Sequence, residues 1–313
     1  MLSRTADHLF WMARYIERAE NVARMLDVNY RMSLLPQSDA AVERQWRAAL
    51  DTMGLLDLYK ETGGAYAPTD VIRFMVLDRN NPSSIFSCLR SARENAHAVR
   101  GTLTSELWET TNSTWIAMRS FSQAGLEGDG ASEFFEWVKF RSHLSRGVSV
   151  GTMLRDESLH FMRLGTFLER ADSTARLLDV KFNELSNSGR ADEAAEYYEW
   201  SALLRSVSAF EIFRKVYRDS ITPSRVAELL ILHRDMPRSL ASCMEEVHEL
   251  LQKVANQRSA ETERRAGEIA ASLRFGRIED IFEDGLHDWL TTFIERVADL
   301  GGRISNDFLV PVN

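Results

Sequence analysis

The chain has 313 residues, 44% of them apolar, with 16 glycines and 6 prolines, a composition that fits a folded protein and not a disordered one. Its 46 acidic and 38 basic residues leave a net charge of -8, which gives no general attraction to phosphate backbones. The longest basic stretch, "RSHLSR" from Arg141 to Arg146, is too short for a nucleic-acid stripe, and two cysteines, Cys88 and Cys243, are too few for a disulfide framework or a structural zinc site.

From the N-terminus, "MLSRTADHLFW" carries charges where a signal peptide would be apolar, and no apolar run of about 20 residues follows, so a cytoplasmic protein without a membrane span is expected. Apolar residues recur at three- and four-residue spacing through "AVERQWRAALDTMGLLDLYKET" (41–62) and "EDGLHDWLTTFIERVADLGGRI" (283–304), the mark of amphipathic helices. Turn signals at Pro36, Gly63, Pro82, Gln123 to Ser132 and Pro223 separate the helical stretches, and the glycines around Gly128 mark the best join between halves. No alternating strand pattern appears, which predicts an all-α fold.

The chain repeats itself. "YIERAENVARMLDV" (15–28) returns as "FLERADSTARLLDV" (167–180), and between Tyr15–Tyr30 and Phe167–Phe182, 8 of 16 positions match. Leu77–Cys88 matches Leu232–Cys243 at 6 of 12; Trp46 pairs with Trp200 and Pro68 with Pro223. An internal duplication is expected, with repeats of about 1–130 and 150–313 forming one domain as a pseudo-two-fold helical bundle.

On a helix, Met12, Ile16, Ala19, Ala23 and Leu26 share an apolar arc, with Glu17, Glu20, Arg24 and Asp27 along its edge. The second copy places Glu169, Asp172, Arg176 and Asp179 in the same way, while Arg18 and Arg170 point to the opposite side. Two readings follow. The acid–arginine pairs are ordinary i,i+4 ion pairs that fix the packing of the copies, or the stripes line a groove where carboxylates bind an amine or cation and the arginines hold a carboxylate or phosphate.

These motifs, with "NPSS…LRSAREN" and "SVSAFE…ITPSRVAELLILHRDMPRS", resemble the alpha-E family, a predicted alpha-helical domain with an ER motif. The resemblance covers nearly the whole chain. It implies a setting with circularly permuted ATP-grasp ligases and transglutaminase-like proteases, hence a helical accessory or substrate-binding component of a peptide-modification system with one of these as protein partner and a peptide as possible substrate. It supplies no reaction, and an enzyme acting through the paired stripes, or a structural scaffold, stays open beside it.

Three further features need weighing. Pro82 and Pro237 stand where helices begin, with Arg79 and Arg234 three residues earlier and Ser84 and Ser239 in the first turn, which reads either as an anion site or as ordinary capping. Cys88 and Cys243 follow at equivalent places and read as packing residues, since no histidine stands at matched spacing beside both. Three E-x-x-H patterns (Glu94/His97, Glu157/His160, Glu245/His248) raise a carboxylate-bridged metal site, but none recurs at equivalent positions, so no metal or other cofactor is expected. Phosphate-loop, dinucleotide, serine-hydrolase and zinc-protease signatures are absent.

Overall fold

The computed structural model describes residues 1–187 and 193–309. They form α1 (Ser3–Ser33), α2 (Asp39–Thr52), α3 (Leu56–Glu61), α4 (Pro68–Val76), α5 (Ile85–Ala98), α6 (Ser105–Met118), α7 (Asp129–Thr152), α8 (Glu157–Asn187), α9 (Glu193–Ser206), α10 (Phe210–Tyr217), α11 (Pro223–Ile231), α12 (Leu240–Lys253), α13 (Ala260–Phe275), α14 (Ile278–Glu283) and α15 (Leu286–Phe308). Among the described residues there is no strand, so the fold is all-α, and none of their helices is long and apolar enough to cross a membrane. The chain divides into two compact units, Met1–Thr166 and Phe167–Asn313, the division falling inside α8.

In the first unit α1 is the central element, packed against α5 and α7. Met12, Ile16, Ala19, Ala23 and Leu26 are all buried, as the periodicity requires, and Val22 and Leu26 enter a core with Trp46, Leu50, Met75, Ile85, Phe134 and Phe135. A Cβ at Gly165, in the part of α8 that belongs to this unit, would lie 2.3 Å from the Phe10 carbonyl oxygen, so only glycine allows α8 to approach α1 there. The apolar stretch 41–62 does not run as one helix. It breaks after Thr52, where Gly54 takes φ +65°, and resumes as α3. The Gly128 stretch lies within the first unit, ahead of α7.

In the second unit α12 packs on α13, α13 on α15, and α11 on α9, α12 and α14. Leu168, Ala175 and Leu178 of α8 are buried, as are Trp200, Phe213, Leu230, Met244, Leu290 and Ile304. Pro68 and Pro223 each open a nine-residue helix, α4 and α11, at a position where the missing N–H has no intrahelical partner to lose.

Candidate functional site

The acidic stripe of α1 is deeply buried rather than at the edge of the apolar arc: Glu17 is 1% exposed, Glu20 0%, Arg24 9% and Asp27 4%. What covers it is α7, running antiparallel to α1 with its own polar stripe. Arg24 Nε donates to Glu20 Oε1 (2.8 Å) and Ser142 Oγ to Glu20 Oε2 (2.6 Å). Arg146 donates from one terminal nitrogen to Glu17 (2.9 Å), to Glu20 (2.5 Å) and to the Ser142 hydroxyl (3.1 Å). A turn further along, Lys139 Nζ and Arg31 Nε hold the two oxygens of Asp27 at 2.8 and 2.9 Å, and Asp27 raises the Arg31 pKa above its ordinary value. Burying carboxylates this deeply is costly unless charge-assisted donors converge on them, as they do here.

His143 lies between the two arginines. Its Nε2 is 3.0 Å from an Arg24 terminal nitrogen and its Nδ1 2.8 Å from one of Arg146. A guanidinium only donates and a neutral imidazole accepts at a single nitrogen, so one of these contacts is a hydrogen bond and the other an N–H beside an N–H. His143 is exposed, so the network meets solvent there, as it does at Arg31.

The second stripe differs in depth. Arg176 Nε donates to Asp172 at 2.9 Å, but those side chains are 39% and 25% exposed. Asp179 is reached by His287 Nδ1 of α15 at 2.6 Å, and that hydrogen bond raises the His287 pKa above its ordinary value. Glu169 and Arg170 are buried, Arg170 donating to the Pro237 carbonyl (3.3 Å) with its guanidinium 5.3 Å from the Phe167 ring centroid. Arg18, its counterpart in the motif, is half-buried over the Tyr15 ring.

Ser84 and Ser239 are the N-caps of α5 and α12, not first-turn residues. Each hydroxyl accepts from the N–H three residues on (Ser87, 3.1 Å; Ser242, 3.0 Å) and donates to a carbonyl (Asp78, 2.6 Å; His233, 2.7 Å). The Arg79 guanidinium stacks 4.9 Å from the Phe86 ring centroid, and Arg234 pairs with Glu245, so capping and packing account for the features that suggested an anion site. Cys88 and Cys243 are fully buried at matching places, each thiol 3.9 Å from the carbonyl of its upstream proline. No group of His, Cys, Asp and Glu that could hold a metal is found among the described residues.

Sequence reasoning missed the α7 half of this site. "RSHLSR" is short as a basic stripe, yet Lys139, Ser142, His143 and Arg146 recur at three- and four-residue spacing and form a polar line complementary to the acids of α1.

An all-α chain whose first unit is built around a buried Glu-Arg motif helix defines a helical-domain protein. The Alpha-E family, described as a predicted alpha-helical domain with a conserved ER motif, matches residues 1–309, and the chain belongs to that family. It is 27% identical over 304 residues to proteins of Mycobacterium tuberculosis (strains H37Rv and CDC 1551) and Mycobacterium bovis that are named only as uncharacterised. The alignment covers 90% of this chain but 34% of theirs, so the chain spans about a third of the length of these relatives. No solved structure matches.

Proposed function

We propose that this protein is a helical accessory component that binds a protein partner, an ATP-grasp ligase or a transglutaminase-like protease, in a cytoplasmic peptide-modification system, and that the chain is built of two copies of one helical repeat, about 1–130 and 150–313. The observation that carries partner binding is the outward face of α7. Phe140 and Val150 stand 64% and 61% exposed on it, on the same side as the solvent-facing His143, while the inward face of that helix grips Glu17 and Glu20. Large apolar side chains left in water along one helix face are a recognised mark of a protein-binding surface. In the mycobacterial relatives the matching region is joined to about twice its own length of further polypeptide, which supports a domain that works beside other domains. On this reading the buried acid–arginine network fixes the register of α1 against α7 and so shapes the docking face.

The duplication is supported by helix order and length. In chain order, helices of 31, 14, 6, 9, 14 and 14 residues in α1–α6 correspond to helices of 31, 14, 8, 9, 14 and 16 residues in α8–α13. The test is co-purification of the tagged chain with the candidate ligase and protease, followed by ATP-consumption assays with and without it. A Phe140→Ser, Val150→Ser variant is expected to keep its helical circular dichroism and lose capture. Capture of neither partner, with ATP consumption unchanged, would overturn the proposal.

A further inference from the structure

Between α12 and α13 of the second unit lies an open groove with a cavity volume of about 170 Å³, inside roughly 530 Å³ once its mouth is counted. A cavity of about 150 Å³ is enough to hold a benzene ring. Ala241, Gly267, Ala270 and Ala271 line the groove with small side chains or none, while Arg234, Glu245 and His248 bring polar groups to it. Arg234 is held at two points by Glu245, Nε donating to Oε2 at 3.1 Å and a terminal nitrogen to Oε1. His248 lies across Gly267, where a Cβ would stand 3.0 Å from its Cε1, so glycine leaves room for the imidazole against α13. Phe275, also part of the lining, is exposed.

The first unit shows what fills the corresponding place. Ser84 and Ser239 cap α5 and α12 alike, and Cys88 and Cys243 follow at matching sites, which gives the two helix pairs one correspondence, 155 residues apart. The facing helices keep it: Arg93 donates to Asn112 across α5 and α6 at 3.3 Å, and their counterparts His248 and Gly267 meet across α12 and α13. At that offset Ala241 and Ala270 stand where α5 and α6 carry Phe86 and Trp115. Those two rings pack edge to face with centroids 5.0 Å apart, and the Arg79 guanidinium lies 4.9 Å from the Phe86 centroid. The second unit keeps the arginine, as Arg234, and loses both rings. Helix pairs ordinarily close such a space with side chains, and here the ring-capping arginine borders a ring-sized opening instead.

We infer that this groove is a docking pocket for one aromatic side chain, Phe, Tyr or Trp, presented by a partner polypeptide. The ring takes the place that Phe86 and Trp115 take in the first unit, against the small residues of both helices and beside the Arg234 guanidinium, which Glu245 holds in position. A buried aromatic anchor in a preformed pocket is the usual centre of a protein–protein contact, and the open mouth admits a side chain that is still attached to its backbone. That the ring comes from a partner polypeptide rests on the partner reading above; the ring pocket itself does not.

The experiment is NMR titration of the isotope-labelled full chain with N-acetylphenylalaninamide and N-acetyltryptophanamide, with N-acetylleucinamide and toluene as controls. Saturable shifts of the Gly267 and Ala271 amides are expected with at least one aromatic amide at millimolar concentration, and the leucine amide should bind weaker by about threefold or more. Arg234→Gln should weaken the aromatic amide by about threefold for want of the cation beside the ring. Ala241→Phe and Ala270→Trp, each restoring the first unit's residue, should fill the groove and abolish binding without lowering the melting temperature. No saturable binding of either aromatic amide, equal binding of the leucine amide, or binding that survives both filling variants overturns the pocket. Binding of toluene and of neither capped residue refutes docking of a side chain on a backbone. A filling variant that does not fold counts against the correspondence between the helix pairs, and the wild-type and Arg234→Gln titrations still decide the pocket. The titrations need no partner, so failure to capture the ligase or the protease is read separately from failure of the pocket.

Discussion

Arg24 and Arg176 hold the same place in the twice-written motif and each pairs with an acid four residues earlier, yet their replacement by alanine is expected to have very different effects. In the Arg24–Glu20 pair the side chains are 10% and 0% exposed, and in the Arg176–Asp172 pair 39% and 25%. Removing one partner of a buried pair costs about 3–5 kcal/mol because the other charge stays out of water. Glu20 keeps Ser142 and Arg146 as donors, which places Arg24→Ala at the low end, about 3 kcal/mol. Water reaches the second pair, so Arg176→Ala should cost about 0–1 kcal/mol. At about 2.1 cal/mol/K of unfolding entropy per residue, the first change lowers the melting temperature of the 313-residue chain by about 4–5 °C and the second by about 1.5 °C at most. Urea denaturation of the two variants, alongside Glu20→Gln and the Glu20→Gln, Arg24→Ala double variant, measures both losses and their coupling. Equal losses for the two arginines, or a loss under about 1 kcal/mol for Arg24→Ala, would refute the argument from burial.

Gly165→Ala should destabilise by about 1–3 kcal/mol or more, because its Cβ would meet the Phe10 carbonyl oxygen at 2.3 Å and α1 and α8 must part; a melting temperature equal to wild type would show that the approach is looser than described. Ser84→Ala should cost about 1–2 kcal/mol by thermal denaturation, since it removes the α5 cap and leaves the Asp78 carbonyl without its donor. The hydrogen bond from His287 to Asp179 raises the His287 pKa, so its contribution to stability is fully present below the unfolded value of about 6.5 and is lost as pH rises through the higher folded value. With the imidazole side chain 54% exposed, solvent screening holds that contribution well under about 1 kcal/mol. Proton NMR should find the ring titrating above about 6.5 and returning there in Asp179→Asn, and an unshifted ring in the wild type would contradict the pairing.

The amino-acid sequence by itself determined what depends on neighbours along the chain. Three- and four-residue periodicity decided that these segments are helices, the prolines and capping serines decided where several begin, and the arc through Met12, Ile16, Ala19, Ala23 and Leu26 decided which face of α1 is buried. The same local reading ran two helices together across Met53–Leu55, where the apolar spacing continues through a glycine turn. The fate of the charges was a tertiary matter. Glu20–Arg24 and Asp172–Arg176 are near-identical as sequence, and they diverge because α7 brings Ser142, His143 and Arg146 over the first from more than a hundred residues away. Burial turns an i,i+4 pair of small worth into a network whose loss is costly, because desolvation depends on everything packed around a charge and not on the helix that carries it.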